Sequence, residues 1–402
     1  MDCREGIEKM KLRKICVIVA GYPSEQRVAN AFVETLVNEM ENQGVECCVI
    51  APQSVSKYLK GVEPEKTERY RYTSKGKRVK VYSPRYITAS AYKMGPINTA
   101  YITLASFQHT VKRCFAKISK SGHEQFDAVY GHFIFPAGIA ACAIGKEYGI
   151  PSFFAYGENT TYTIDRFGAR ETRKRLEEIC GVVSVSSENK RVLIANDIVE
   201  ENKIGVFPNS INNEDFYPRD KKTLRNKYKI PQDAFIVAFV GRFLNVKGPD
   251  RLSAALDGLN NDSICSFFIG MGSLKPTCRN ILFMGTLPHD RIGEYLSMAD
   301  VFVLPTLAEG CCNAIIEAMA CGLPVISSNL PFNDDILDET NSIRVDPNDI
   351  EAIKSAINTL FADKELREKL AQGALETASK LKIENRTKNI IAFIEEKIED
   401  SK

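Results

Sequence analysis

"VFVLPTLAEGCCNAIIEAMACGLPVISSN", residues 301–329, decides the fold. "VFVLPT" is an apolar run of strand length, "LAEG" leaves it, and a helix begins around Cys311 to Ala314. "PVISSN" is a second apolar strand behind Gly322. Strands apolar along their whole length, with a helix between them, belong to a parallel sheet covered on both faces. Within this run stand two glutamates, Glu309 in the turn and Glu317 about two helical turns further on, ~9–12 Å of rise. Ile315, Ile316, Ala318, Met319 and Ala320 surround Glu317. A carboxylate in such company costs several kcal/mol to desolvate unless something hydrogen-bonds to it. That partner comes either from the protein or from a ligand.

The same alternation runs outward in both directions. Upstream lie "KICVIVAG" (14–21), a helix from about Arg27 to Asn42, "VECCVIAP", "DAVYGHF", a helix over Gly138 to Tyr148, "PSFFAY", "GVVSVSS" and "KIGVFPN". "FPNSINNEDFYPRDKK" (207–222), rich in Pro, Asn and charge, reads as a linker. Beyond it come "FIVAFVGRF", "CSFFIGMG", "NILFMGTL", the opening unit and "SIRVD". The expectation is an α/β chain of two doubly wound Rossmann-like domains, 1–208 and 209–381. A last helix over about 382–402, with the stripe Ile390, Ile391, Phe393, Ile394 and Ile398, packs back on the first domain. No repeat of solenoid period is visible. Open parallel sheets bind ligands beyond the carboxyl ends of their strands, so two facing sheets make a cleft the place for chemistry.

Composition narrows the function classes. The chain has 402 residues, too many for one ordinary core. With 53 Lys and Arg against 51 Asp and Glu, no bulk charge points to nucleic acid. No run approaches the 18 apolar residues of a membrane span, and the N-terminus lacks a signal-peptide pattern, so a cytoplasmic protein is expected. The 12 cysteines include no C-x-x-C and no histidine placed to complete a zinc site. They read as small buried hydrophobes in a reducing compartment.

Three stretches carry chemistry. "IGMGSL" (269–274) follows a strand but has Lys275 where a dinucleotide fingerprint needs its third glycine, which favours a turn pair. In "FVGRFLNVKGPDRL" (239–252), Arg242 and Lys247 flank a loop after a strand, and Gly248-Pro249-Asp250 starts a helix. Two cations beside a helix N-terminus suit a phosphate; they are equally compatible with a solvated surface. In the opening stretch, Gly310 allows a close backbone approach, and Asn313 with the first-turn amides can donate to an anion. The alternative gives Glu309 a capping job and Glu317 a buried salt bridge.

These segments together resemble the retaining glycosyltransferases of family 4, built on the two-Rossmann-domain GT-B fold. "EGCCNAIIE" with "AMACGLPVI" is similar to their E-x7-E signature, "VGRFLNVKG" to their arginine and lysine loop, and "DAVYGHFIFPAGIAACAIGKEYGIP" to the segment of their active-site histidine. "FPNSINNEDFYP" resembles their linker, and the order is collinear over nearly the whole chain. The resemblance implies that Arg242 and Lys247 neutralise the diphosphate of a nucleotide-sugar donor. It gives Glu317 the ribose hydroxyls, Glu309 the sugar hydroxyls, and Gly310, Cys311, Cys312 and Asn313 backbone contacts to sugar and phosphate. Gly285 to Leu287 would lie near the base, and His132 against the donor sugar near the reacting carbon. Taken alone, His132 would more often be structural. No cofactor and no metal are implied; no D-x-D is present.

Two departures stand out. The loop after the first strand is "AGYPSEQR", with Gly21 and Tyr22 where relatives carry a glycine-rich turn. "AYGEN" (155–159) has Tyr156 where many carry histidine. Lys66–Tyr86 holds eight Lys or Arg against one acid, interleaved with tyrosines, and an amphipathic helix, "INTAYITLASFQHTVKRCFAKISK", follows. Together they suit an anionic membrane surface and a lipid-linked acceptor, or else a solvated loop; nucleic acid fits the balanced whole poorly. The expected function is metal-independent, retaining transfer from a UDP- or GDP-sugar to a hydroxyl acceptor in cell-surface polysaccharide or lipid-linked glycan assembly. A non-catalytic nucleotide-sugar-binding protein and a sugar-nucleotide epimerase are the alternatives.

Overall fold

The computed structural model describes residues 11–24, 30–58, 61, 63–89, 93–94, 97–122, 125–158, 160–211 and 214–401. Gln26, the expected helix start at Arg27, Asn159 and linker residues 212–213 lie outside them. The chain divides into two compact units. Among described residues, the first takes those up to Val185, then Asn189–Phe207 and Thr387 onward; the second takes Ser186–Glu188 and Pro208–Arg386.

The first unit is built on eight strands: β1 (Lys14–Ile18), β2 (Glu46–Ile50), β3 (Glu68–Tyr72), β4 (Arg78–Tyr82), β5 (Ala128–His132), β6 (Ser152–Tyr156), β7 (Gly181–Ser184) and β8 (Ile204–Val206). Their order is β8-β7-β6-β5-β1-β2-β4-β3, parallel throughout except for the β3–β4 edge hairpin. Because side chains alternate across a strand, β1 feeds two cores. Ile15 and Val17 pack with Val33, Val37 and Met40 of the helix Ala31–Asn42, and with Ile390, Ile394 and Ile398 of the C-terminal helix Ile383–Asp400. Cys16 and Ile18 pack with Phe107, Val111 and Phe115 of the helix Ala100–Gly122. The strand order reverses between β1 and β5, where Ile18 lies opposite Gly131. Gly21, Tyr22 and His132 therefore stand at the carboxyl ends flanking that switch point.

The basic segment Lys66–Tyr86 is mainly the β3–β4 hairpin rather than a loop, and three of its eight cations are paired with acids. Arg69 pairs with Glu65 at 2.9 Å, Arg71 with Glu34 at 2.7 Å and Lys80 with Glu68 at 2.9 Å. Lys77 Nζ donates to the Glu41 carbonyl, and the Arg78 guanidinium lies 4.4 Å from the Tyr70 ring centroid.

The second unit is a six-stranded, all-parallel sheet of β9 (Phe235–Val240), β10 (Ile264–Ile269), β11 (Ile281–Gly285), β12 (Val301–Leu304), β13 (Val325–Ser328) and β14 (Ser342–Val345). Its order is β11-β10-β9-β12-β13-β14. The chain winds outward from β9 and then restarts at β12 on its other side, so the switch point lies between them. β10, β12 and β13 are buried along their whole length, as their unbroken apolar runs require. The 11 described cysteines are free thiols, nine of them buried.

Candidate functional site

At the switch point of the second unit, the loops after β9 and β12 lock together. The Val246 carbonyl accepts from Leu307 N at 2.7 Å and from Thr306 Oγ1 at 3.0 Å. Arg251, buried, ties the same loops by donating to Pro305 O at 2.8 Å and Asn245 Oδ1 at 2.9 Å. Gly248 has φ 73°, and a Cβ there would lie 2.6 Å from Pro305 O, so only glycine fits. Pro249 then opens the helix Pro249–Leu259 at its first position.

Lys247 Nζ forms an ion pair with Glu309 Oε1, with side chains only 17% and 9% exposed. Thr306 Oγ1 stands 3.2 Å from the same oxygen, its single proton given to the nearer Val246 carbonyl. Lys247 is thus no solvated surface cation. Nor does Glu309 cap a helix: Cys312 is the N-cap of the helix Asn313–Ala320, without a side-chain bond. Arg242 is exposed; its carbonyl accepts from Leu244 N at 2.8 Å, and its guanidinium has no hydrogen bond or ion pair to any described residue. Its backbone neighbours are fixed, since Phe243 N donates to Met271 O at 2.8 Å and Leu274 N donates to Phe243 O at 2.9 Å. The glycines of "IGMG" explain that contact. A Cβ at Gly270 would lie 1.9 Å from Gly241 O, and one at Gly272 2.3 Å from Phe243 O. Gly270 N in turn donates to Gly285 O at 2.8 Å. The ends of β9, β10 and β11 are laced in one row, with Gly285 and half-buried Leu287 on the outermost.

Glu317 lies in the second turn of its helix, its side chain 13% exposed. Its side-chain partner among the described residues is His289, whose Nε2 stands 3.5 Å from Oε1 and which carries a charge only when protonated. Hydrogen bonding to Glu317 raises the His289 pKa, against the opposing effect of partial burial. His289 is itself 64% exposed, so Glu317 opens toward solvent through an exchangeable partner. Burial pushes the Cys311 thiol up to about 12 and the Cys312 thiol well above its ordinary value. Both stay protonated at neutral pH and are not nucleophiles. Asn209, from the linker, donates through Nδ2 to Cys311 O at 3.0 Å and to Asn313 Oδ1 at 2.8 Å. Among the described residues, no cluster of three or more His, Cys, Asp or Glu is placed to hold a metal ion.

In the first unit, buried His132 ends β5 with its ring centroid 5.1 Å from Phe32 and 4.8 Å from Phe133. Phe133 has φ 68°, and the turn beyond it closes so tightly that a Cβ on Gly131 would lie 2.5 Å from Gly138 Cα. Glu158, just past β6, accepts a hydrogen bond from the Ile134 N–H of that turn; burial nonetheless pushes its carboxyl up to about 7. Gly21 O accepts from Asn30 Nδ2 at 2.8 Å. Tyr22 is buried, its pKa raised by burial and by Glu34, and its hydroxyl has no hydrogen-bond partner among the described residues. Tyr156 is buried within β6.

The structure therefore brings Lys247 and Glu309 together, seats Cys311 to Asn313 beside them in sequence, and places Glu317 along the same helix. His132, Gly21 and Tyr22 belong to the other unit. His289, Thr306, Arg251, Asn209 and Glu158 escaped sequence reasoning, because their contacts join segments far apart in the chain.

Two family models match the chain: glycosyltransferase family 4 over residues 29–215, and glycosyl transferases group 1 over residues 220–377. A Bacillus subtilis protein named as a glycosyltransferase of teichuronic acid biosynthesis is 25% identical over 381 residues, covering 90% of this chain and 93% of the relative. An Escherichia coli UDP-Gal:alpha-D-GlcNAc-diphosphoundecaprenol alpha-1,3-galactosyltransferase is 26% identical, covering 60% and 68%. Among solved structures, sucrose-phosphate synthase from Thermosynechococcus elongatus superposes with a TM-score of 0.74 at 19% identity, covering 94% and 97%. Anabaena HepE in complex with UDP gives 0.68 at 15% identity, covering 95% and 98%. At such identities, the structural likenesses establish the fold.

Proposed function

The chain belongs to the GT-B glycosyltransferases of family 4 type, and on that premise we propose that it transfers a sugar, with retention, from a UDP- or GDP-sugar to a hydroxyl acceptor. The acceptor belongs to cell-surface polysaccharide or lipid-linked glycan assembly. The observation that carries this reading is the interlocked pair of loops at the β9/β12 switch point. There Lys247 is held by Glu309, while the Arg242 guanidinium has no partner among the described residues.

In this reading Arg242 and Lys247 hold the donor diphosphate, and Lys247 exchanges part of its contact with Glu309 for a phosphate oxygen. The bond from the anomeric carbon to the phosphate oxygen breaks, and its electron pair stays on the nucleoside diphosphate, where the two cations stabilise it. The acceptor oxygen attacks from the same face and passes its proton to that leaving oxygen. Glu309 and His132 position the sugar, and Gly310, Cys311, Cys312 and Asn313 present backbone donors at the helix N-terminus. Glu317 accepts the ribose hydroxyls, displacing His289, with Gly285 and Leu287 beside the base. The Gly21–Tyr22 loop serves the acceptor side. No cofactor or metal takes part.

The names of the relatives support the substrate class: teichuronic acid biosynthesis for one, UDP-galactose and a diphosphoundecaprenol-linked acceptor for another. The same reading places the protein in the cytoplasm, peripheral at the inner face of the plasma membrane. No helix among the described residues is long and apolar enough to cross a membrane. In this reading membrane contact is made by the basic segment Lys66–Tyr86, whose Lys75 and Arg78 are exposed, together with the acid-free helix Ala100–Gly122, where Arg113, Lys117, Lys120 and Ile102 are exposed.

The test is incubation with labelled UDP- and GDP-sugars, with and without glycan acceptors and with EDTA, reading the product anomer by NMR. The reading expects acceptor-dependent, EDTA-insensitive transfer with retention, lost in Glu309→Ala. Acceptor-independent conversion of the donor into another sugar nucleotide would make the protein an epimerase. Binding without turnover would make it a binding protein.

A further inference from the structure

The linker does more than join the units. The chain crosses from the first to the second between Phe207 and Pro208, and returns between Arg386 and Thr387. Just inside the second unit, both strands of this crossing are pinned together. Arg386 Nε donates to Pro208 O at 2.8 Å, Ile211 N to Leu381 O at 3.1 Å, and Ile383 N to Ile211 O at 3.3 Å. Between these pins, Asn209 reaches the loop after β12 through three contacts. Its Nδ2 donates to Cys311 O at 3.0 Å and to Asn313 Oδ1 at 2.8 Å, and its N–H donates to Cys311 Sγ at 3.3 Å.

The chemistry of these contacts fixes an orientation. A carboxamide nitrogen carries two protons, and both are used here, one on each oxygen. Asn313 must therefore turn its oxygen toward Asn209, which leaves its own NH2 group free to donate elsewhere. Cys311 O lies just ahead of the helix Asn313–Ala320 and receives a donor from outside that helix. The backbone that presents the first-turn amides is thereby anchored.

We propose that Asn209 is a positioning residue: it sets the carboxamide of Asn313 and the backbone of Cys311 to Asn313 so that their N–H groups meet the diphosphate and sugar of the donor. This rests on the reading that the loop binds a nucleotide-sugar. Asn209 does not touch the ligand; it makes the geometry of the binding loop depend on that of the linker.

The test compares Asn209→Ala and Asn209→Asp with wild type in the full chain. The aspartate variant keeps the volume but offers oxygen to two oxygens, so Asn313 must turn its NH2 toward it and away from the ligand. Hydrogen exchange of the Cys312–Ala314 amides, measured without ligand, should accelerate at least tenfold in both variants. The donor KM should rise at least tenfold while kcat changes less, and the aspartate variant should be the more impaired. In an Asn313→Ala background, Asn209→Ala should add less than it does alone. Unchanged exchange and unchanged donor KM would overturn the proposal, as would a lowered melting temperature with the donor KM intact. If wild type binds neither UDP nor GDP, the proposed function fails, and the exchange measurement alone then decides whether Asn209 orders the loop.

Discussion

Replacing Lys247 by methionine removes a charge from an ion pair whose side chains are 17% and 9% exposed. Thr306 Oγ1, 3.2 Å from Glu309, can then turn its proton from Val246 O to the stranded carboxylate. Breaking a buried pair by deleting one partner typically costs about 3–5 kcal/mol, because the remaining charge is stranded. The residual exposure and a Thr306 hydroxyl able to turn toward Glu309 favour the lower end, about 3 kcal/mol. For a unit of this size, each kcal/mol lowers the melting temperature by roughly 2–4 °C, so Lys247→Met should fall by roughly 6–12 °C. Adding Glu309→Gln removes the stranded charge, and the double variant should recover about 2 kcal/mol. The double-mutant cycle, read by chemical denaturation, isolates that coupling. A nucleoside diphosphate at a hundredfold excess over its Kd should stabilise wild type by about 2.7 kcal/mol and Lys247→Met by much less. A coupling under about 0.5 kcal/mol would refute the reasoning, since the pair would then behave as an ordinary surface contact.

Other outcomes follow from buried groups. The Glu158 carboxyl titrates at about 7 when folded, against 4.5 as its ordinary value. Its contribution to stability is fully present below pH 4.5 and is lost as the pH rises through 7, a loss of about 3 kcal/mol. Glu158→Gln should therefore flatten the fall in urea midpoint between pH 5 and 8 and be the more stable protein at pH 8; parallel profiles would contradict this. Arg225, 3% exposed, donates to the carbonyls of Met298, Gln232 and Ala234 and pairs with Asp300 at 2.8 Å. Arg225→Met should destabilise the second unit by about 3–5 kcal/mol, and lysine should rescue it only in part because it lacks the planar fork. A loss below about 1 kcal/mol would count against that network.

The fold was legible because its signals are local. β9, β10 and β12 are continuous apolar runs, and no other arrangement buries both faces of such strands. Pro249 and Gly248 marked a helix start through backbone chemistry that needs no partner. Lys247 and Glu309 were legible as residues, but their pairing was not, since 62 positions separate them and only the crossover at the switch point joins them. His289 reaches Glu317 in the same way, through two helices packed side by side. The hairpin's ion pairs were hidden for a related reason. "RVKVY" alternates with strand period, sending Val79 and Val81 into the core and the cations outward. Two of the three acids that pair with its cations, Glu34 and Glu65, lie outside the segment whose composition drew attention. Glu158 carried no signal at all, because its chemistry comes from desolvation, which only the packed fold supplies.

The central claim is that the loops after β9 and β12 form the cradle of a nucleoside diphosphate. Calorimetric titration of UDP and GDP into wild type, Arg242→Ala and Glu317→Gln tests it most directly. Wild type should bind one of the two nucleotides, Arg242→Ala should lose at least tenfold in affinity, and Glu317→Gln should lose affinity for the nucleotide but none for inorganic pyrophosphate. Equal affinities in all three proteins would contradict it.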